Sequence, residues 1–89
     1  MKVKIDKSFQ RDIKKVNNKN VNGRIADLIE KLTYTKNIHE IENLKKLNFP
    51  RNYFRIRLGV YRIGVIIIED EIHLIRFLHR KEIYRYFPK

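Results

Sequence analysis

Three arginines stand close enough in this chain to act together. Tyr53, Arg55 and Arg57 alternate with Phe54, Ile56 and Leu58, the period of a half-buried strand. Gly59-Val60 follows, with Gly first, as a type II′ hairpin turn requires. That loop predicts a register: Leu58 opposite Tyr61, Arg57 opposite Arg62, Ile56 opposite Ile63 and Arg55 opposite Gly64. Cross-strand partners share a face, so Arg55, Arg57 and Arg62 fall on one side, with no side chain at Gly64 beside them. Like charges placed opposite one another destabilise a sheet. A cluster of guanidinium groups without a carboxylate suits a polyanion, since Arg recognises phosphate in a planar, bidentate way. By residue pattern alone, such a strand is as readily a solvated face as an anion site.

The other elements must hold that hairpin in place. Lys2 to Ile5 alternates Lys with apolar residues, the pattern of an edge strand guarded by lysine. Phe9, Ile13 and Val16 recur at helical spacing, which predicts a helix over 8–17, capped by Asp6 or Ser8. Asn17 to Asn20 reads as a turn. Ile25, Leu28, Ile29 and Leu32 give a second helix over about 22–33 with Asn22 as cap. From Tyr34 to Asn48 an apolar residue recurs every third position, which fits a short helix or a packed irregular segment, ended by Pro50. The third long strand follows the acidic turn Glu69-Asp70-Glu71 and covers Ile72 to Leu78. His79 to Lys89, basic and aromatic, is a strand end or a short helical turn.

The resulting order is β-α-α-β-β-β. It predicts an α+β fold: an antiparallel sheet of about four strands with a helical hairpin on one face and the arginine face left open. Uninterrupted alternation also puts Ile66, Ile68, Ile75 and Phe77 on the side of Arg57 and Arg62. That requires either a register slip in the last hairpin or a partner over the surface.

Composition bounds the function. The chain has 89 residues, the size of one domain, here taken as 1–89. Its net charge is +11, which points to nucleic acid, an anionic surface or an acidic protein as partner. Seven of nine Arg lie beyond residue 50 and ten of twelve Lys before residue 51, so the second half is the working half. With no Cys, a disulfide framework and a thiolate metal site are excluded, and a reducing, cytoplasmic setting is expected. Three scattered His give no metal-binding pattern. No cofactor and no membrane association are expected, because the charge lies on strands and the longest apolar run, Val65 to Ile68, is short. His39 and His73 read as surface or packed residues, Tyr53 and Tyr61 as hairpin packing, and Glu69-Asp70-Glu71 as a turn.

The run Phe54-Arg55-Ile56-Arg57-Leu58-Gly59-Val60-Tyr61-Arg62-Ile63 resembles the Y-R-I-R-x-G-x-Y-R strand pair of the RelE/ParE superfamily of bacterial toxins. His79-Arg80-Lys81-Glu82-Ile83-Tyr84-Arg85 is similar to its terminal G-H-R-x-x-x-Y segment. Two departures stand out: the first-strand pair is Arg where the founding member has Lys, and Leu78 stands where Gly commonly precedes His-Arg.

The resemblance implies a toxin neutralised by a small cognate antitoxin. In the RelE type it implies a ribosome-dependent endoribonuclease cutting mRNA in the A site, with mRNA and the ribosome, rRNA included, as partners. It carries the catalytic surface onto Arg55, Arg57, Arg62 and Arg80, with Tyr84 or Tyr86 as the aromatic. In that chemistry the substrate's 2′-OH attacks the phosphorus, giving a 2′,3′-cyclic phosphate and a 5′-OH. Arg is effectively always protonated and makes a poor base, so the proton transfers fall to Tyr84 or Tyr86, with His79 as the second candidate. The ParE type implies inhibition of DNA gyrase without cleavage instead. A non-catalytic RNA-binding module is the third reading.

Overall fold

A computed structural model describes residues 1–48 and 50–88; Lys89, the last residue of the predicted terminal stretch, lies outside them. The fold is α+β, with two N-terminal helices and a mostly antiparallel sheet in the order β1-β5-β4-β3-β2. The strands are β1 (Lys2–Ile5), β2 (Leu44–Lys46), β3 (Tyr53–Leu58), β4 (Tyr61–Ile68) and β5 (Glu71–His79). The helices are α1 (Lys7–Val16), α2 (Lys19–Tyr34) and a short terminal α3 (Ile83–Tyr86).

The predicted register of the first hairpin holds at all four pairs, Leu58↔Tyr61, Arg57↔Arg62, Ile56↔Ile63 and Arg55↔Gly64. Gly59 takes the positive φ of 61° that its turn position demands. β1 is an edge strand, as expected, and runs parallel to β5.

Caps set the helix bounds. The Asp6 carboxylate accepts from Ser8 N–H at 3.2 Å and starts α1. Asn17 ends it in the left-handed conformation, φ 46°, which Asn tolerates. The cap of α2 is Asn18 and not Asn22. Its side chain accepts from Val21 N–H at 3.1 Å, so the helix opens at Lys19 and the predicted turn shrinks to Asn17-Asn18.

The segment after α2 departs furthest from the sequence reading. Of the two readings, short helix or packed irregular segment, the helix reduces to a 3-10 turn at Ile38–Glu40, and Leu44–Lys46 forms β2, a fifth strand that neither foresaw, paired to β3. Pairing with β3 outweighs the three-residue spacing, and Asn43 enters the left-handed region, φ 62°, which stops helical propagation.

The core lies between the helices and one face of the sheet. Phe9 of α1 meets Phe77 edge-on at 6.0 Å, and Ile25 and Leu32 of α2 are buried with Ile56, Ile63, Val65 and Leu74. β5 carries a bulge. Gly64 pairs with Arg76 but Val65 pairs with Leu74, which leaves Ile75 without a partner on β4. The bulge turns Phe77 into the core beside Leu74 and sends Arg76 and Leu78 to the opposite face. The register slip considered for the last hairpin is therefore real, whereas Ile66 and Ile68 stay on the arginine face.

Helix α1 stabilises the bulge. The Asp12 carboxylate accepts from Phe77 N–H at 2.9 Å and from Arg76 Nε at 2.7 Å. The Ser8 hydroxyl lies within hydrogen-bond reach of the Ile75 carbonyl. Backbone groups released by the bulge thus find partners instead of remaining buried and unpaired.

Candidate functional site

Cross-strand rows define the arginine face. One row holds Arg57, Arg62 and Leu78; the next holds Lys45, Arg55, Gly64 and Arg76. Arg80 follows Leu78, and its N–H donates to Val60 O at 2.7 Å, which ties the end of β5 to the hairpin turn.

Backbone and amide oxygens hold these cations in place. Arg55 Nη1 donates to Asn43 O at 3.0 Å, and Arg57 Nη2 donates to Asn43 Oδ1 at 3.1 Å. Arg62 Nη1 donates to Gly59 O and Tyr61 O, each at 2.9 Å. Among the described residues, no carboxylate forms an ion pair with Arg55, Arg57, Arg62 or Arg80. Arg55 Nε is buried and meets no acceptor among the described residues. The Arg62 guanidinium is held below the ordinary arginine range, first by burial, then by the charges of Arg55 and Arg57, with Tyr84 opposing and Arg80 adding. Arg55, Arg57, Arg62, Arg80 and Tyr84 therefore share one electrostatic neighbourhood.

The proton-transfer candidates separate. Tyr84 is 57% exposed and acts electrostatically on Arg62. Tyr86 differs in lying against Arg76, whose Cζ is over its ring at 5.4 Å and which Asp12 already pairs. His79 lies on the core-side face, paired with Tyr61 across the sheet and packed edge-on to its ring at 6.1 Å. Its Nδ1 accepts from Lys81 N–H at 3.1 Å.

The remaining aromatic and histidine expectations can be placed directly. Tyr61 stacks on Phe77 and Tyr53 on Phe87, so both serve packing. His73 Nε2 lies 3.1 Å from Glu71 Oε1 at the surface.

Two contributors escaped the sequence reading, Lys45 and Asn43. Lys45 is the cross-strand neighbour of Arg55 and extends the cationic row onto β2. Asn43 organises both first-strand arginines, because Arg57 N–H also donates to its carbonyl at 3.1 Å. An Asn just before an alternating Leu-Lys pair was the available signal.

The arginine face is also less open than expected. α3 and Phe87 cover its centre: the Phe87 ring lies directly over Gly64, and Ile83 is fully buried.

Comparison with known proteins gives the family. Residues 3–84 match the family model described as ParE toxin of type II toxin–antitoxin system, parDE. This chain belongs to the RelE/ParE superfamily. Among superfamily members it is 40% identical to Toxin RelE3 of Methanocaldococcus jannaschii, over 99% of this chain and 100% of that protein. The toxin in the crystal structure of the RelB–RelE antitoxin–toxin complex from Methanococcus jannaschii is 36% identical. It superposes with a TM-score of 0.79, over 96% of this chain and 99% of that one. The toxin–antitoxin complex RelBE2 from Mycobacterium tuberculosis shares the fold at 22% identity and a TM-score of 0.60, over 89% and 96% of the two chains. Among the described residues of this RelE/ParE toxin, no helix is long and apolar enough to cross a membrane.

Proposed function

We propose that this toxin is a ribosome-dependent endoribonuclease that cuts mRNA in the A site. The observation that carries the reading is the cluster of Arg55, Arg57 and Arg62 on one sheet face, with Arg80 and Tyr84 in its electrostatic reach. The 2′-OH of the substrate loses its proton to solvent as its oxygen attacks phosphorus, the bond to the 5′-oxygen breaks, and a 2′,3′-cyclic phosphate and a 5′-OH result. Arg55, Arg57 and Arg62, already oriented by Asn43 and the hairpin turn, keep N–H donors for the phosphate oxygens. They stabilise the charge that develops on the phosphorane with little reorganisation. Arg80 adds charge from the end of β5. A phenol carries a donor proton, so Tyr84 protonates the departing 5′-oxygen. His79 packs against Tyr61 on the core side and Tyr86 lies over the ion-paired Arg76, which supports leaving both out of this reaction.

The toxin's partner is an acidic antitoxin segment that folds over the cationic surface, matched to a net charge of +11. The solved relatives from Methanococcus jannaschii and Mycobacterium tuberculosis, crystallised as antitoxin–toxin complexes, support that pairing.

The test is primer extension on a translated mRNA in a purified translation system, with and without ribosomes. Cuts in frame with the A site, present only with ribosomes, are the expected result. The ParE description of the matching family model favours a second reading, gyrase inhibition without cutting. Intact mRNA together with loss of DNA supercoiling activity would select it.

A further inference from the structure

Gly64 is not a turn residue. It lies in mid-strand between Arg62 and Ile66, opposite Arg55 on one side and Arg76 on the other. What excludes a side chain there is the Phe87 ring. A Cβ on Gly64 would sit 2.5 Å from Phe87 Cδ2, 2.6 Å from Cγ and 2.8 Å from Cδ1. Those atoms are the root of a rigid ring and not the tip of a flexible chain.

The ring is itself fixed. Phe87 is 2% exposed, stacks on Tyr53 at 5.3 Å, and its N–H donates to Ile83 O at 2.8 Å, closing the last turn of α3. Ile83 and Phe87 are four residues apart, so both dock on the same side. A helix of four residues has no stability of its own; docking alone decides its depth and rotation. Tyr84 follows Ile83 in that helix, is exposed, and acts electrostatically on Arg62.

We propose that Gly64 is a positioning residue: its bare Cα is the socket for Phe87, and the seated ring fixes Tyr84 over the arginine cluster. The inference rests on the reading of Tyr84 as the proton donor given above. It also explains a mid-strand glycine that otherwise weakens the strand.

The experiment pairs cleavage with spectroscopy. Gly64→Ala, Phe87→Leu and the double variant are assayed for A-site cleavage at varied ribosome concentration, and each is labelled with tyrosine carrying carbon-13 at Cζ. The Tyr84 signal is assigned by its loss in Tyr84→Phe. Gly64→Ala is expected to keep its circular dichroism spectrum and its half-saturating ribosome concentration. Its maximal rate should fall by about 100-fold, the effect of misplacing a reacting group by about 1 Å, and the Tyr84 signal should shift. Phe87→Leu in the Gly64→Ala background should recover most of the rate and return the signal.

A Gly64→Ala protein with wild-type rate, an unmoved Tyr84 signal, or a defect that the second substitution leaves untouched would each overturn the proposal. If Gly64→Ala does not fold, Phe87→Ala removes the plug without crowding the sheet and faces the same two readouts. If the unaltered protein cuts no mRNA, the nuclease reading fails. The Tyr84 signal then decides the seating of Tyr84 by itself.

Discussion

The two faces of this sheet are built from the same strands in one register, yet they obey opposite rules. On the helix side the rows Ile56–Ile63–Phe77 and Phe54–Val65–Leu74 are apolar and buried. On the other side the rows Arg57–Arg62–Leu78 and Lys45–Arg55–Gly64–Arg76 concentrate positive charge. The first face is organised by removing area from water. The second sets like charges side by side, which costs stability, and it holds Arg55, Arg57 and Arg62 with carbonyl and amide oxygens instead of carboxylates. Arg76 is the exception, paired with Asp12; Arg55, Arg57 and Arg62 have no ion-pair partner among the described residues, which suits the proposed phosphate site. The contrast separates what folds the toxin from what it does.

Substitutions on either face can break that contrast. The largest expected loss of stability is from Phe9→Ala, which opens a cavity against Phe77 and should cost about 3–5 kcal/mol in denaturant unfolding. On the other face, Arg62→Ala or Arg80→Ala should each lower cleavage by about 100- to 1000-fold, as loss of one charge-stabilising donor does. Circular dichroism should stay unchanged, and the pair should abolish growth arrest. A toxic, well-expressed double variant would refute the site.

Tyr84→Phe sharpens the comparison within the tail. It should reduce the maximal rate by about 100-fold, the lower bound for losing an acid–base group, while Tyr86→Phe should leave the rate near wild type. Equal losses would mean that the sheet face does not sort the two tyrosines.

The smallest expected effect is Asp6→Ala, at about 1 kcal/mol for a lost helix cap. The Asp6 carboxyl is held below its usual range, first by the Ser8 hydroxyl and then by the Ser8 N–H. Its contribution is therefore complete above the unfolded-state value of about 3.9 and disappears as pH falls through the lower folded value. Thermal unfolding of the two proteins should converge in acid.

The β3–β4 hairpin, its turn, the shared face of Arg55, Arg57 and Arg62, and the apolar stripes of α1 and α2 were all legible from residue order. Each depends on contacts within a few residues, namely alternation, a two-residue turn and helical spacing. β2 was not legible, because three residues carry too little period to outweigh a competing helical pattern, and only pairing with β3 decides it. A slip in the last hairpin was legible only as one of two alternatives, and the place of the bulge at Ile75 was not. Its stability comes from Asp12 and Ser8, which lie more than 60 positions away.

The docking of α3 has the same origin. Nothing local tells Tyr84 from Tyr86, since both are exposed aromatics in a basic tail. With α3 seated on Gly64, Tyr86 lies over Arg76, already paired with Asp12, while Tyr84 acts on Arg62, which has no carboxylate partner among the described residues. The sequence by itself determined which residues could form a cationic face. The placing of Tyr84 and Tyr86 against it is left to tertiary packing, because a four-residue helix takes its orientation from the surface it lies on.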